Sequence, residues 1–212
     1  MVDDPGGMID WEPQGGILKD LGARFSDPVR MTAAEGQILD QLNAFEILDM
    51  NNIKGDAWNV STERFPAPED KRGNFPTEER FQSWASNDGH RDAFRHAYWN
   101  AIMTDRFGED FTERFTTAHE GSPENLADRE AMDLYNNQVG RRIAAENPDA
   151  SPRELANLVE QALEDGELIV IDANGDLAWS DQVAYGEHGA ANDPATPGVI
   201  RTPDPRNSES GG

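Results

Sequence analysis

The longest helical pattern in the chain is Arg91-Asp-Ala-Phe-Arg-His-Ala-Tyr-Trp-Asn-Ala-Ile-Met-Thr-Asp-Arg-Phe107. Its apolar residues recur at intervals of three and four, which predicts an amphipathic helix that ends at Gly108. Asp92, His96 and Asn100 follow one another at intervals of four, so they form one polar stripe on that helix. The helix is therefore expected to hold the apolar core and to carry a polar site.

Further helices are predicted on both sides of this one. Thr32-Ala-Ala-Glu35 is a capping box, and Ile38, Leu39, Leu42 and Phe45 follow it at helical spacing. Ser151-Pro-Arg-Glu154 begins another helix with Ser as the cap and Pro in the first turn. These signals indicate a bundle of several short helices.

Two features of the second half add detail. Residues 126–145 have a helical pattern that contains Gly140, which costs about 1 kcal/mol relative to Ala. Close approach of another backbone would explain that glycine. Leu168–Ile171 and Asp176–Trp179 flank an Asn-Gly pair, which predicts a β-hairpin.

The predicted fold is mainly α: a single-domain helical bundle with a small C-terminal β-hairpin and flexible termini. Residues 1–30, rich in Gly, Pro and Asp, are interpreted as a linker-like segment. Residues 31–185 form the helical domain with its hairpin. Residues 186–212, dominated by Gly, Pro, Asn and Ser, are interpreted as a disordered tail.

Composition excludes several classes of function. The 212 residues include 41 acidic and 18 basic residues, and the net charge of −23 repels nucleic-acid phosphates, so no nucleic acid is expected as a partner. The absence of cysteine excludes disulfides, zinc–thiolate sites and cysteine nucleophiles.

No apolar run approaches the roughly 20 residues of a transmembrane segment. The N-terminus does not resemble a signal peptide, so export would need a dedicated apparatus, or the chain would be a fragment of a longer secreted protein.

Three groups of polar residues are candidates for chemistry. Asp92 lies one helical turn from His96, where a carboxylate could orient a histidine base or share a metal ion. His119 and Glu120 end a helix before a Gly-Ser-Pro loop, which suits acid–base work. The third group is Asp133, Asn136 and Asn137, which lie on the next predicted helix. The catalytic candidates are Asp92, His96, His119, Glu120 and Asp133; the substrate-binding candidates are Arg95, Asn100, Asn136, Asn137 and Arg141.

Each group also has a structural explanation. The Asp92–His96 pair could be a simple hydrogen bond on a helix surface, and His119 could interact with the helix dipole. Asn136 and Asn137 could belong to a buried hydrogen-bond network. A cofactor is not identified, although a divalent metal ion held by His and carboxylate ligands is a candidate.

Three motifs carry a family resemblance. They are Asn87-Asp-Gly-His-Arg-Asp-Ala-Phe-Arg-His-Ala-Tyr-Trp-Asn-Ala101, Ala118-His-Glu120 and Met132-Asp-Leu-Tyr-Asn-Asn-Gln-Val-Gly-Arg141. In this order they resemble a bacterial domain family of unknown function, found at the C-terminus of phage-associated and polymorphic-toxin-like proteins, including type VII secretion substrates. Arg95-His96 and Asp133 also resemble the helix pair of bacterial phospholipase A2, although no Asp follows His96 and no calcium loop is visible.

The resemblance implies an effector domain. The leading hypothesis is a secreted hydrolase or toxin that attacks an envelope lipid or glycan, is cytoplasmic before export, and has a cognate immunity protein or a secretion apparatus as its partner. The alternative hypothesis is a noncatalytic binding or structural module, a cargo or adaptor of a secretion, injection or phage-like apparatus. In that case the polar cluster would be a structural network.

Overall fold

The structure is a computed structural model that describes residues 6–13, 28–122 and 126–191. The strands are β1 (Met8–Trp11), β2 (Val29–Thr32), β3 (Ile169–Ile171) and β4 (Leu177–Trp179), and 3-10 turns cover Glu69–Asn74 and Ser180–Gln182. The α-helices are α1 (Ala33–Leu39), α2 (Ala44–Arg64), α3 (Glu78–Ser86), α4 (His90–Phe107), α5 (Glu109–Glu120), α6 (Ala127–Glu146) and α7 (Pro152–Glu164). The predicted mainly α fold with a small C-terminal hairpin is confirmed.

Helix α4 is the centre of the domain. It is buried at every position from His90 to Thr104 except Arg95, and it packs against α2, α6 and α7. Phe94 and Met103 are fully buried in the main core. Because a helix that is buried on all sides has no solvent face, its polar side chains must find partners inside the protein.

The predicted helix starts and the hairpin are confirmed. Capping boxes join Thr32 to Glu35 and Ser151 to Glu154. Strands β3 and β4 pair antiparallel across the predicted Asn-Gly turn. The predicted apolar face that includes Phe45 is wrong. Helix α1 ends at Leu39, and another capping box at Asn43 begins a new helix, on which Phe45 is 70% exposed.

Gly140 lies where α6 crosses α4, as the sequence predicts. A Cβ atom built there would lie 1.9 Å from the carbonyl oxygen of Ala97. The two helices therefore approach at a distance that only glycine permits. This close crossing brings the polar residues of α4 and α6 into one cluster.

Some expectations concern the ends of the chain. Residues 1–5, 14–27 and 192–212 lie outside the described residues, as do 123–125. Within the segment interpreted as linker-like, β1 pairs with β2 antiparallel, and Trp11 is buried. Residues 186–191 contact the domain, since His188 stacks on Trp84 with ring centroids 4.3 Å apart. The three domain boundaries remain predictions.

Candidate functional site

The polar stripe of α4 faces polar residues of α5 and α6. His96 lies at its middle and is 8% exposed. Its Nε2 atom lies 3.4 Å from Asp92 Oδ1 and 3.6 Å from Asp133 Oδ1. Its Nδ1 atom lies 3.3 Å from Asn137 Oδ1 and 3.6 Å from Glu120 Oε1. One imidazole therefore joins residues from three helices.

A chain of hydrogen bonds determines the tautomer of His96. Arg141 has only donors, and its Nη1 lies 3.2 Å from Asn100, so the facing atom of Asn100 is its oxygen. The amide nitrogen of Asn100 then donates to Asn137 Oδ1 at 2.5 Å. Because Asn137 presents an oxygen to His96, the Nδ1 atom must carry the proton and donate it. The Nε2 atom of His96 is therefore an unprotonated acceptor.

The pKa values of Asp133 and His96 are both shifted by burial. Asp133 is buried, and its Oδ1 atom has no hydrogen-bond partner among the described residues. Burial raises the pKa of Asp133 well above its ordinary value, and the nearby charge of Glu120 adds to the effect. Burial lowers the pKa of His96 to about 4, although the charge of Asp92 opposes this. Asp92, His96 and Asp133 form a buried group that could hold a metal ion.

Glu120 lies on the other side of the His96 ring. Its Oε1 atom accepts a hydrogen bond of 3.2 Å from Asn137 Nδ2. Burial raises the pKa of Glu120 to about 7, while the charge of His119 and the hydrogen bond from Asn137 oppose the rise. Glu120 can therefore exchange a proton near neutral pH, which is the property required of a general acid or base.

His119 belongs to a second carboxylate–histidine pair. Its Nδ1 atom lies 2.7 Å from Glu35 Oε1. Burial disfavours the charged form of His119, but the hydrogen bond and negative charge of Glu35 outweigh it and raise the pKa of His119. Burial would raise the pKa of Glu35, but the hydrogen bond and charge of His119 lower it. The His119 side chain is 42% exposed, so this imidazole is accessible.

Sequence reasoning did not identify Glu35 as a site residue. It interpreted Glu35 as the partner of Thr32 in a capping box, and that bond is present between Glu35 Oε2 and the Thr32 backbone N–H at 2.8 Å. The other carboxylate oxygen remains for His119, which is 84 residues away in the chain. The buried environment of this cap is a tertiary feature that the local motif does not reveal.

His96 and His119 both line one cleft with a volume of about 680 Å³. Trp99 lies between the two rings and meets each of them edge to face, with centroids 6.4 Å from His96 and 5.2 Å from His119. The apolar lining includes Trp11, Met31, Leu39, Ile47, Met50 and Phe115. Basic side chains also line it: Arg30, Lys54 and Arg95. The cleft is thus apolar, with basic groups and two histidines along its lining.

The remaining sequence candidates lie in different places. Asn136 is fully buried. Its Nδ2 donates to the Ile169 carbonyl oxygen, and its Oδ1 accepts from the Ile169 backbone N–H, each at 2.9 Å. Arg141 bonds to Asn100 and faces the exposed Glu113 at 3.7 Å. Arg95 pairs with Asp92 and donates to the Ser86 carbonyl oxygen at 2.8 Å. Of these three, Arg95 lines the cleft, while the contacts of Asn136 and Arg141 are accounted for within the protein.

Comparison with known proteins identifies a family but not an activity. No curated protein and no solved structure matches the chain. One protein-family model, described as a domain of unknown function (DUF6973), matches residues 38–167. That range includes the whole His96 cluster and His119, whereas Glu35 and both strands of the first sheet precede it. Since the match covers more than half of the sequence, this chain belongs to the DUF6973 family.

Proposed function

We propose that this domain is a hydrolase-type effector that attacks an envelope lipid, with His119 as the general base. The observation that carries the proposal is the His119–Glu35 pair on the wall of the apolar cleft. A carboxylate that accepts the Nδ1–H of a histidine leaves Nε2 free to take a proton, and it stabilises the imidazolium that results. His96 is less suited to this role, because its pKa is lowered to about 4.

In the proposed reaction, His119 Nε2 removes a proton from a water molecule in the cleft. The resulting hydroxide attacks the carbonyl or phosphoryl centre of the substrate, and the bond to the leaving group breaks. The imidazolium then returns its proton to the leaving oxygen. Glu35 acts as a positioning residue, since it bonds to His119 and not to the reacting atoms.

The cleft favours a lipid over a glycan. Its lining includes large apolar side chains, among them Met31, Ile47 and Met50, which offer few hydrogen-bonding partners to sugar hydroxyls. An acyl chain would gain about 0.8 kcal/mol for each methylene group that leaves water. The basic side chains of Arg30 and Lys54 would attract an anionic headgroup, although the chain as a whole is strongly acidic.

The direct test is hydrolysis of purified bacterial lipids compared with purified peptidoglycan, measured as released fatty acid, phosphorylated headgroup or reducing sugar. We expect activity on lipid, and a loss of about 10²–10⁴-fold in His119→Ala, the usual contribution of a general base. Glu35→Gln should also lose most of the activity, because a Gln whose oxygen accepts from the Thr32 backbone N–H turns its NH₂ toward His119 Nδ1 and so favours the wrong tautomer of the base. Asp105→Asn removes an exposed carboxylate from α4 and serves as the control. Full activity in folded His119→Ala would reject the proposed base.

The effector role has a separate test in living cells. The domain and its His119→Ala variant would be expressed in a bacterial host, either in the cytoplasm or exported to the periplasm. Growth arrest in one compartment, abolished by the substitution, would support a toxic enzyme and would justify a search for an immunity protein. Normal growth with well-folded protein in both compartments would contradict the effector role.

A second candidate function is a noncatalytic structural or adaptor module. It is favoured by the extent of internal bonding, because Asn100 is satisfied by Asn137, Thr116 and Arg141 within the protein. Breaking such a network should cost several kcal/mol, whereas removing a catalytic group often leaves stability unchanged or raises it. If His119→Ala is inactive and, at a pH above the raised pKa of His119 where the Glu35–His119 pair no longer adds stability, is as stable as the wild type, the catalytic role is favoured.

A further inference from the structure

We propose that Asp92 Oδ1, His96 Nε2 and Asp133 Oδ1 bind one divalent transition-metal ion. This proposal is independent of the proposed hydrolase activity, since it rests on the geometry of three buried atoms. All three side chains are less than 10% exposed. Each of the three atoms can accept a hydrogen bond or coordinate a cation, and the three face the same small volume.

Hydrogen bonds determine which nitrogen of His96 is available to a cation. The sequence of bonds from Arg141 through Asn100 and Asn137 places the imidazole proton on Nδ1 of His96. The Nε2 lone pair therefore points toward two carboxylate oxygens, and Asp133 Oδ1 has no hydrogen-bond partner among the described residues. Asp92 Oδ1 accepts a hydrogen bond from Arg95, but Asp133 Oδ1 has no such donor among the described residues and lies 3.6 Å from the unprotonated His96 Nε2, so a cation between these two acceptors would satisfy both.

The distances from His96 Nε2 to the two carboxylates fit those between ligands of one metal ion. Zinc in proteins binds His nitrogen and carboxylate oxygen at roughly 2.0–2.2 Å in a tetrahedral arrangement, so two ligand atoms of one ion lie about 3.4 Å apart. His96 Nε2 lies 3.4 Å from Asp92 Oδ1 and 3.6 Å from Asp133 Oδ1. All the potential ligand atoms lie within 4.8 Å of one another. The two distances from His96 Nε2 match this ligand spacing and exceed ordinary hydrogen-bond lengths.

The charged groups around His96 favour a divalent cation. When ionised, Asp92, Asp133 and Glu120 place three negative charges around His96, and Arg95 adds one positive charge at Asp92. A divalent ion would neutralise this net charge of −2 and would hold Asp133 and Glu120 in the ionised form that burial disfavours in its absence. The adjacent pair of Asp88 and Arg129 compensates itself through two hydrogen bonds of 2.7 Å. Arg95 uses one lone pair of Asp92 Oδ1, and a carboxylate oxygen has a second.

The donor set indicates the type of ion. One imidazole and two carboxylates suit Zn²⁺, Mn²⁺ or Fe²⁺, whereas soft ions such as Cu⁺ prefer the thiolates that this cysteine-free chain lacks. Three protein ligands leave the fourth tetrahedral position for water. The hydrogen bond from His96 Nδ1–H to Asn137 is the kind of outer contact that orients metal-bound histidines.

The test is metal binding by the complete chain, measured without reference to activity. Metal-free protein would be titrated with Co²⁺, a spectroscopic substitute for Zn²⁺ whose visible absorption reports tetrahedral coordination, and with Zn²⁺ by calorimetry. We expect one ion per chain. Asp133→Asn should bind about 100-fold more weakly or worse, because loss of a ligand exceeds the 10–100-fold cost of losing an outer contact. Glu130→Gln removes another buried carboxylate from α6 and should bind normally.

The outcomes are decisive in either direction. A stoichiometric Co²⁺ complex that Asp133→Asn abolishes and Glu130→Gln retains would establish the site. If Asp133→Asn does not fold by circular dichroism, Asp92→Asn is the second ligand variant. If folded wild-type protein gives no spectral change and no heat, the proposal is overturned. A proton on Asp133 would then lie between Asp133 Oδ1 and His96 Nε2 in place of the metal ion. Metal binding without lipid hydrolysis would retain this site and reject only the proposed activity.

Discussion

Gly140→Ala should destabilise the protein, although alanine is the better helix former. The added Cβ would lie 1.9 Å from the Ala97 carbonyl oxygen, where ordinary contact begins at 3.4 Å, so α4 and α6 would have to separate by about 1.5 Å. Overpacking of this kind costs about 3 kcal/mol at the upper end of the usual range. The helical preference of alanine returns about 1 kcal/mol. We therefore expect a net loss of about 2 kcal/mol, which most domains survive.

Gly55→Ala is the matched control. Gly55 lies inside α2, and a Cβ atom built there would have no neighbour within 4 Å. The same substitution should stabilise the protein at this position by about 0.5–1 kcal/mol. The two variants are thus predicted to change the free energy of unfolding in opposite directions.

Urea denaturation at one pH would measure both variants. Equal slopes would show that each substitution acts on stability and not on the compactness of the unfolded chain. If Gly140→Ala is as stable as the wild type or more stable, the close crossing of α4 and α6 is incorrect. The cluster that depends on this crossing, including His96 and Asp133, would then also need revision.

Two further predictions concern single contacts. Asn136→Ala should lower the free energy of unfolding by about 2–5 kcal/mol, because it leaves the buried N–H and C=O of Ile169 without partners. Faster hydrogen exchange at the Ile169 amide would show where the structure is weakened, and an unchanged melting curve would refute the prediction. The Glu35–His119 pair should stabilise the protein most between pH 4.5 and 6.5. Its contribution is lost at higher pH, as the pH rises through the raised pKa of His119, and at lower pH, as the pH falls through the lowered pKa of Glu35. In Glu35→Gln, an NMR titration should give a lower His119 pKa than in the wild type, and an unchanged value would exclude the pairing.

Much of the secondary structure follows from local signals in the sequence. The capping boxes at Thr32 and Ser151 begin helices, and the Asn-Gly pair makes the β3–β4 turn. These signals are reliable because a cap or a tight turn is satisfied by residues a few positions away. The sheet of β1 and β2 was not predicted, since Met8–Trp11 has a partner that lies 18 or more residues away in the chain.

The candidate site was predicted in part. The stripe of Asp92, His96 and Asn100 does face Asp133 and Asn137, as their positions on two helices suggested. Glu35 was missed because its role as a cap explained it completely at the local level. Asn136 was expected near substrate, but its bonds to Ile169 give its burial a structural explanation.

The sequence by itself determined where several helices begin, that Asp92, His96 and Asn100 share one face of a helix, and that close approach of another backbone would explain Gly140. Only the tertiary structure decided which faces meet. It paired Glu35 with His119, placed both histidines on one cleft, and brought Asp92, His96 and Asp133 into one buried group. The physical reason is that periodicity records that a side chain is buried, whereas its partner is chosen by packing between segments far apart in the chain.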